Sequence, residues 1–205
     1  SAASAGSDVR LRVAALGRLA RAGDTSAARE LQRMAVEGMG TGAGVLADAV
    51  LVKQGDDAAI RRLAEAASSD RIRDKSIVAE AVRSADARDA AFALVPLLRD
   101  ESPATRIAAA DALAALRYER AIPEIRVLLS DELSPVRVRA ALALRRLGDS
   151  AGDEMVEKML KSGVGDARLA ALEASASVKP EERAAIIKAA LADPEPLNRI
   201  RAAEM

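Results

Sequence analysis

The 205-residue sequence contains 31 basic and 31 acidic side chains, one Phe, one Tyr, and neither His nor Cys. This composition excludes disulfides, thiolate nucleophiles and the histidine-based catalytic and zinc sites that many enzymes use. The charges also balance within each half of the chain, so the basic excess typical of nucleic-acid binders is missing. With one Phe and one Tyr, the chain also lacks the aromatic platforms on which single strands stack.

Alanine makes up about a quarter of the chain, which favours closely packed helices. No stretch alternates like a strand, and no apolar run approaches the roughly 20 residues of a membrane span. The sequence therefore predicts an all-α protein with no cofactor and no membrane helix, and it gives no indication of the cellular compartment.

Paired helices are predicted along nearly the whole chain. Residues 1–7 (SAASAGS) are assigned to a disordered leader or cloning remnant, and residues 8–205 to a single array. The pairs are placed at residues 8–38, 43–68, 70–99, 101–130, 132–162 and 164–192, with a partial unit at 194–205. Because this last unit stops within its first helix, we expect a fragment of a longer array.

Two places in the first half interrupt the pattern. The glycine-rich loop at residues 38–44 is interpreted as a connection between units, since no strand precedes it and no Lys-Ser/Thr pair follows it. Pro96 lies inside a predicted helix, where it removes one hydrogen bond and clashes with the preceding turn. We expect a kink or a late helix start there.

The segment at residues 130–149 (SDELSPVRVRAALALRRLGD) is a regular unit start. Pro135 opens a helix, Val138 and Leu142 belong to its apolar stripe, and Gly148 ends it. Acidic residues are predicted to start the second helix of each unit and to favour its dipole: Asp24, Asp56, Asp86, Glu119, Asp149 and Glu181.

Arginines recur at a constant interval of 31 residues, at Arg106, Arg137, Arg168 and Arg199. An aspartate precedes three of them by six residues: Asp100, Asp131 and Asp193. A fixed period in this range is the signature of a stacked repeat array.

The motifs D-x-x-x-P-V-R-x-x-A-A-x-A-L (131–144), L-G-D (147–149) and A-I-P-E-I-x-x-L-L (121–129) resemble HEAT repeats. The closest resemblance is to the short HEAT-like repeats of the phycobilisome-lyase type, and it is strong from about Asp100 onward. For residues 8–68, a TPR-like or other αα-repeat is the alternative. The resemblance implies a right-handed α-solenoid of about six and a half helix–turn–helix units. It also implies that Asp and Arg of the ladder pair between neighbouring units, as structural struts; an anion-binding track is the alternative.

In the resembled family, the second helix of each unit lines the concave face. Residues at corresponding places of these helices are apolar more often than a solvent-facing row should be. These residues are predicted to form a partner-binding strip. If the helical register is shifted, they belong to the core instead. The residues are Phe92, Pro96, Glu124, Val127, Met155, Lys158 and Ile186.

The function predicted is non-catalytic: a protein-interaction or scaffolding module that binds a partner protein or peptide on the concave face. The adjacent carboxylate pairs lie at helix starts or loops and do not converge as a catalytic pair must. Two alternatives stay open, an accessory subunit of bilin-lyase type and a nucleic-acid-binding α-solenoid, although the charge balance argues against nucleic acid.

Overall fold

The computed structural model describes residues 2–160, 172 and 180–204, and this part of the chain contains helices but no strand. The chain divides into two compact units, Ser1–Tyr118 and Glu119–Met205. Among the described helices, none is both long and apolar enough to cross a membrane. The all-α fold predicted from the sequence is confirmed.

The first unit consists of two layers of helices. Its elements are α1 (Ala2–Arg21), α2 (Thr25–Glu37), α3 (Gly42–Val52), α4 (Asp57–Ser68), α5 (Ser76–Ser84), a 3₁₀ helix (Arg88–Arg99) and α6 (Pro103–Ala115). Helices α1, α3, α5 and α6 pack side by side, and α2, α4 and the 3₁₀ helix pack against them. This alternation is the helix–turn–helix pattern predicted from the sequence.

Helix α1 begins at Ala2 and therefore includes residues 2–7, which the sequence analysis assigned to a disordered leader. The segment contains three alanines and runs directly into the amphipathic stretch that follows. Alanine has the highest intrinsic helix propensity, so a preformed helix extends readily into such a segment.

The second unit is built from shorter helix pairs. Its described elements are two 3₁₀ turns (Glu119–Ala121 and Leu128–Ser130) flanking α7 (Ile122–Val127), then α8 (Ser134–Arg146), α9 (Ser150–Leu160), α10 (Pro180–Ala190) and α11 (Pro196–Ala203). Helix α8 packs against α7 and α9, and α10 packs against α11. The boundary between the compact units falls inside the predicted repeat at 101–130, and the assignment of one continuous array stays a prediction.

Among the described residues, the turn between the two helices of a repeat contains a residue with positive φ in five repeats. These residues are Gly23 (95°), Gly55 (80°), Asp86 (52°), Arg117 (57°) and Gly148 (81°). Their positions, 23, 55, 86, 117 and 148, repeat the period of the arginines to within one residue. The left-handed conformation is thus a fixed feature of the turn, and glycine adopts it without steric cost.

This register corrects the assignment of Asp86. The sequence placed Asp86 among the carboxylates that start a helix, but it occupies the left-handed turn position, and Ala87 precedes the helix without a side-chain cap. The Asp86 carboxylate instead accepts hydrogen bonds from Arg88 (3.1 Å) and Lys53 (3.4 Å). The Arg88 bond is the main reason that the pKa of Asp86 lies below its usual value.

Other carboxylates start helices as predicted. Each accepts a hydrogen bond from a backbone N–H of the helix that it precedes: Asp24 from Ser26 (2.8 Å), Asp56 from Ala59 (3.0 Å) and Asp149 from Ala151 (3.0 Å). Such caps satisfy donors that have no partner within the helix. Glu119 is the first residue of a 3₁₀ turn, and the side chain of Glu181 lies outside the described residues.

Pro96 disturbs its helix as expected, but in a different form. The sequence predicted a kink or late start, whereas the whole segment Arg88–Arg99 is a 3₁₀ helix with Pro96 inside it. The lack of a side-chain cap at Ala87 and the missing N–H of Pro96 both weaken the α-helical alternative.

Candidate functional site

The second helix of each repeat is here called a B helix, and these helices contain the residues predicted to bind a partner. Phe92 is 48% exposed and Val127 63% exposed. Pro96 and Lys158 are exposed as well. These four, the exposed B-helix residues, are accessible to solvent. Phe92 and Pro96 belong to the first compact unit, and Val127 and Lys158 belong to the second.

The remaining three predicted partner-binding residues are less accessible. Ile186 is 7% exposed and packs in a cluster with Leu172, Ala190 and Ala202, so it cannot belong to an exposed strip. The alternative of a core residue applies here, because the true helical register turns Ile186 inward.

Met155 and Glu124 lie between the two extremes. Met155 is half-buried and packs against the cluster that contains Val138, Leu142 and Met159. Glu124 is also half-buried, and its Oε2 atom is buried with no hydrogen-bond partner within the described structure. Neither presents its whole side chain to a partner.

Three arginines of the ladder make the same contacts. Arg137 Nη1 donates to the carbonyl oxygens of Asp131 (2.7 Å) and Glu132 (2.9 Å). Arg106 binds the carbonyls of Asp100 (2.9 Å) and Glu101 (3.0 Å), and Arg199 those of Asp193 (2.9 Å) and Pro194 (2.9 Å). Each guanidinium therefore fixes the loop that precedes its own helix.

The aspartates of the ladder stabilise the same loops. The carboxylates of Asp100, Asp131 and Asp193 each accept the backbone N–H two residues later, at 3.0, 3.0 and 2.8 Å. Asp100 also lies 3.7 Å from Lys75 of the preceding repeat. Pairing of Asp with Arg between neighbouring units stays a prediction, and Arg168 lies outside the described residues.

The glycine-rich loop has a structural explanation. A Cβ atom on Gly44 would collide with the backbone of Gly38, so the two segments can approach only because both residues are glycine. Thr41 accepts a hydrogen bond from the Gly44 N–H (3.3 Å) and donates one to the Gly38 carbonyl (2.7 Å). The loop is thereby closed on itself as a connection between α2 and α3.

A buried ion pair was missed by the sequence analysis. Asp48 of α3 is 4% exposed, and its carboxylate lies 2.6 Å from Arg62 of α4. Burial raises the pKa of Asp48 to about 6, because the loss of water outweighs the favourable Arg62 hydrogen bond. This ion pair could have been inferred from the sequence, because a single aspartate lies within the apolar segment GAGVLADAVLV.

The sequence analysis also missed an open cavity of about 660 Å³ in the first unit. It lies between α1 and α5, with α3 as its floor, and residues such as Val9, Val13, Leu46, Val50 and Ile77 line it. The signal was α3 itself, which is apolar on nearly all sides. Within the described residues, no group of three or more acidic, His or Cys side chains could hold a metal ion.

Residues 90–176 match the family model of HEAT repeats. A crystal structure of an engineered protein is similar over 96% of this chain and 94% of that chain, with 21% identity and a TM-score of 0.35. No curated protein matches the sequence.

Proposed function

We propose that this chain, in which residues 90–176 match the family model of HEAT repeats, is a non-catalytic module that binds a partner protein through its exposed B-helix residues. HEAT repeats generally mediate protein–protein interaction or scaffolding, and the family is typically non-catalytic. The phycobilisome-lyase subtype and the concave location of these residues stay predictions. Nothing in the part of the chain that the structure describes favours the bilin-lyase or nucleic-acid alternatives.

The exposure of Phe92 is the observation that carries the proposal. Aromatic side chains supply much of the binding energy at protein interfaces, because they bury a large area with few rotatable bonds. About half of the Phe92 surface is open to solvent, and covering it contributes roughly 2 kcal/mol. Pro96 lies four residues later on the same 3₁₀ helix and adds a second exposed apolar side chain without a backbone donor.

Neighbouring charges supply a polar rim in the first unit. Asp89 and Arg99 are exposed on the same 3₁₀ helix as Phe92. An apolar centre with a charged rim is the arrangement expected of a transient interface rather than of an obligate one.

A peptide selection tests the proposal and does not require the partner to be identified first. The immobilised protein is panned against a phage-displayed peptide library, and the selected peptides are measured by calorimetry against Phe92→Gln and Val127→Gln variants. Leu19→Gln is the matched control, since Leu19 is 50% exposed on α1, outside the B helices.

We expect Phe92→Gln or Val127→Gln to weaken binding of a selected peptide about tenfold or more, and Leu19→Gln to leave it unchanged. Peptides that bind all three variants as tightly as the unmodified protein would refute a binding role for Phe92 and Val127. Failure to enrich any peptide over an unrelated helical protein would count against a peptide-binding function altogether.

A further inference from the structure

The groove of the first unit is a second candidate site, separate from the exposed B-helix residues. Its walls are α1 and α5, and its floor is α3. Gly42, Leu46 and Val50 follow each other at intervals of four residues, so they share one face of α3 along about 12 Å of helix. At one end, α1 approaches α3 closely, because a Cβ on Gly17 would lie only 2.5 Å from Val50.

The floor is apolar where a surface helix normally carries charge. Leu46 and Val50 are half-buried, and the walls add Val13 and Ile77. In the middle of each surrounding helix the backbone polar groups are bonded within that helix, so the hydrogen-bonding groups of the groove are confined to side chains and to helix ends such as Gly42 and Ser84. Its lining therefore favours hydrocarbon over a polar ligand.

Charge and width restrict the occupant further. Arg10 on one wall and Glu80 on the other lie 3.0 Å apart, with side chains 64% and 45% exposed, and thus link α1 to α5 at the mouth. The two charges compensate each other, so the lining leaves no net charge for a charged ligand to neutralise. A partner helix about 10–12 Å wide would have to break this pair, whereas a small molecule can lie beneath it.

We propose that this groove binds an uncharged, hydrocarbon-rich small molecule with at most one hydroxyl group, of the class of fatty or isoprenoid alcohols. The cavity of about 660 Å³ lies within the range of small-molecule sites, roughly 300–1,000 Å³. Ser84 is the uncharged polar side chain of the lining and can pair with such a hydroxyl. The site does not depend on the interaction proposed for the B helices.

Nile red, a neutral dye whose fluorescence rises and shifts to the blue in apolar surroundings, is the direct probe. The full chain is titrated with the dye, which is then displaced with decanol, farnesol, decanoate or decylamine. The two alcohols distinguish a straight acyl chain from an isoprenoid, and the two charged compounds test the requirement for neutrality.

Two substitutions separate binding in the groove from loss of folding. Leu46→Gln places a polar amide on the floor, and Ala14→Phe fills the groove from an exposed position on its wall. Leu19→Gln and Ala104→Phe are the matched controls at exposed positions outside the groove. Far-UV circular dichroism and the melting temperature confirm that each variant is folded.

We expect both groove variants to weaken Nile red binding about tenfold or more and both controls to leave it within about twofold. At least one alcohol should displace the dye at a concentration about tenfold below that of decanoate and decylamine. Equal displacement by the charged compounds would overturn the neutral ligand. Unchanged dye binding in folded Ala14→Phe would overturn the site. A sedimentation change in the groove variants, without a change in dye binding, would assign the groove to contact between two copies instead.

Discussion

Replacement of Gly148 by alanine tests the idea that the left-handed turn is a fixed requirement of each repeat. Gly148 has a φ of 81°, and a Cβ added there would meet no atom within 4 Å. The substitution therefore changes the backbone preference without creating a collision. Gly23 and Gly55 share both properties, so each provides an independent repetition of the experiment.

The expected magnitude follows from two opposing effects. A side chain in the left-handed conformation costs about 1–2 kcal/mol. Alanine also restricts the unfolded chain more than glycine does, which offsets roughly 0.5–1 kcal/mol of that cost. Gly148→Ala should thus lower the free energy of unfolding by about 1 kcal/mol.

Arg117 provides the reverse experiment, because it occupies the same turn position with a φ of 57°. Relative to Arg117→Ala, which also removes the interactions of the arginine side chain, Arg117→Gly should raise the free energy of unfolding by about 0.5–1 kcal/mol, because the same two effects change sign. Urea unfolding followed by far-UV circular dichroism measures both changes, and an unchanged slope shows that the unfolded state is comparable. A neutral or stabilising effect of Gly148→Ala, or an Arg117→Gly variant less stable than Arg117→Ala, would refute the requirement for a left-handed turn residue.

Three further outcomes follow from packing, hydrogen bonding and burial. Gly152→Ala should destabilise the protein by about 2–3 kcal/mol in urea unfolding, more than Gly148→Ala does, because its Cβ would lie 2.7 Å from the Arg145 backbone nitrogen on α8. Arg137→Ala should lower the free energy of unfolding by about 1.5–3 kcal/mol through loss of the hydrogen bonds to two loop carbonyls. In thermal melts, Arg137→Lys should recover less than half of the lost stability. Full recovery with lysine would contradict a role for the guanidinium geometry. The pKa of Asp48 is raised from the usual 3.8 to about 6 in the folded protein. The stability of the unmodified protein relative to Asp48→Asn should therefore be greatest below about pH 4 and decline as the pH rises through 6. A stability difference that does not vary with pH would show that burial leaves this carboxyl unaffected.

The helices could be predicted from the sequence because residues within each repeat determine where its helices begin and end. Asp24 and Asp56 cap helices, glycine turns separate them, and the constant interval of the arginines aligns the units. Asp86 was misassigned for the same reason, since an aspartate can either cap a helix or adopt the left-handed turn. Only the spacing of the turns, rather than the residue type, distinguishes the two.

The sites were harder to predict because exposure depends on helix rotation as well as on periodicity. Phe92 and Val127 are exposed as expected, whereas Ile186, at a corresponding place, is buried. The groove above Leu46 arises from the separation of α1 and α5, which no local pattern encodes. The apolar character of α3 predicts that other groups cover this helix, but which groups do so depends on the tertiary packing.

The arginine contacts have a consequence for how such a chain can evolve. Arg106, Arg137 and Arg199 each bind carbonyls only five and six residues earlier, so one segment of sequence contains both the donors and the acceptors. Duplication or deletion of one 31-residue segment would leave these bonds intact in the segments that remain. These bonds therefore do not restrict the number of repeats, whereas the contact of Asp100 with Lys75 depends on which repeat precedes it.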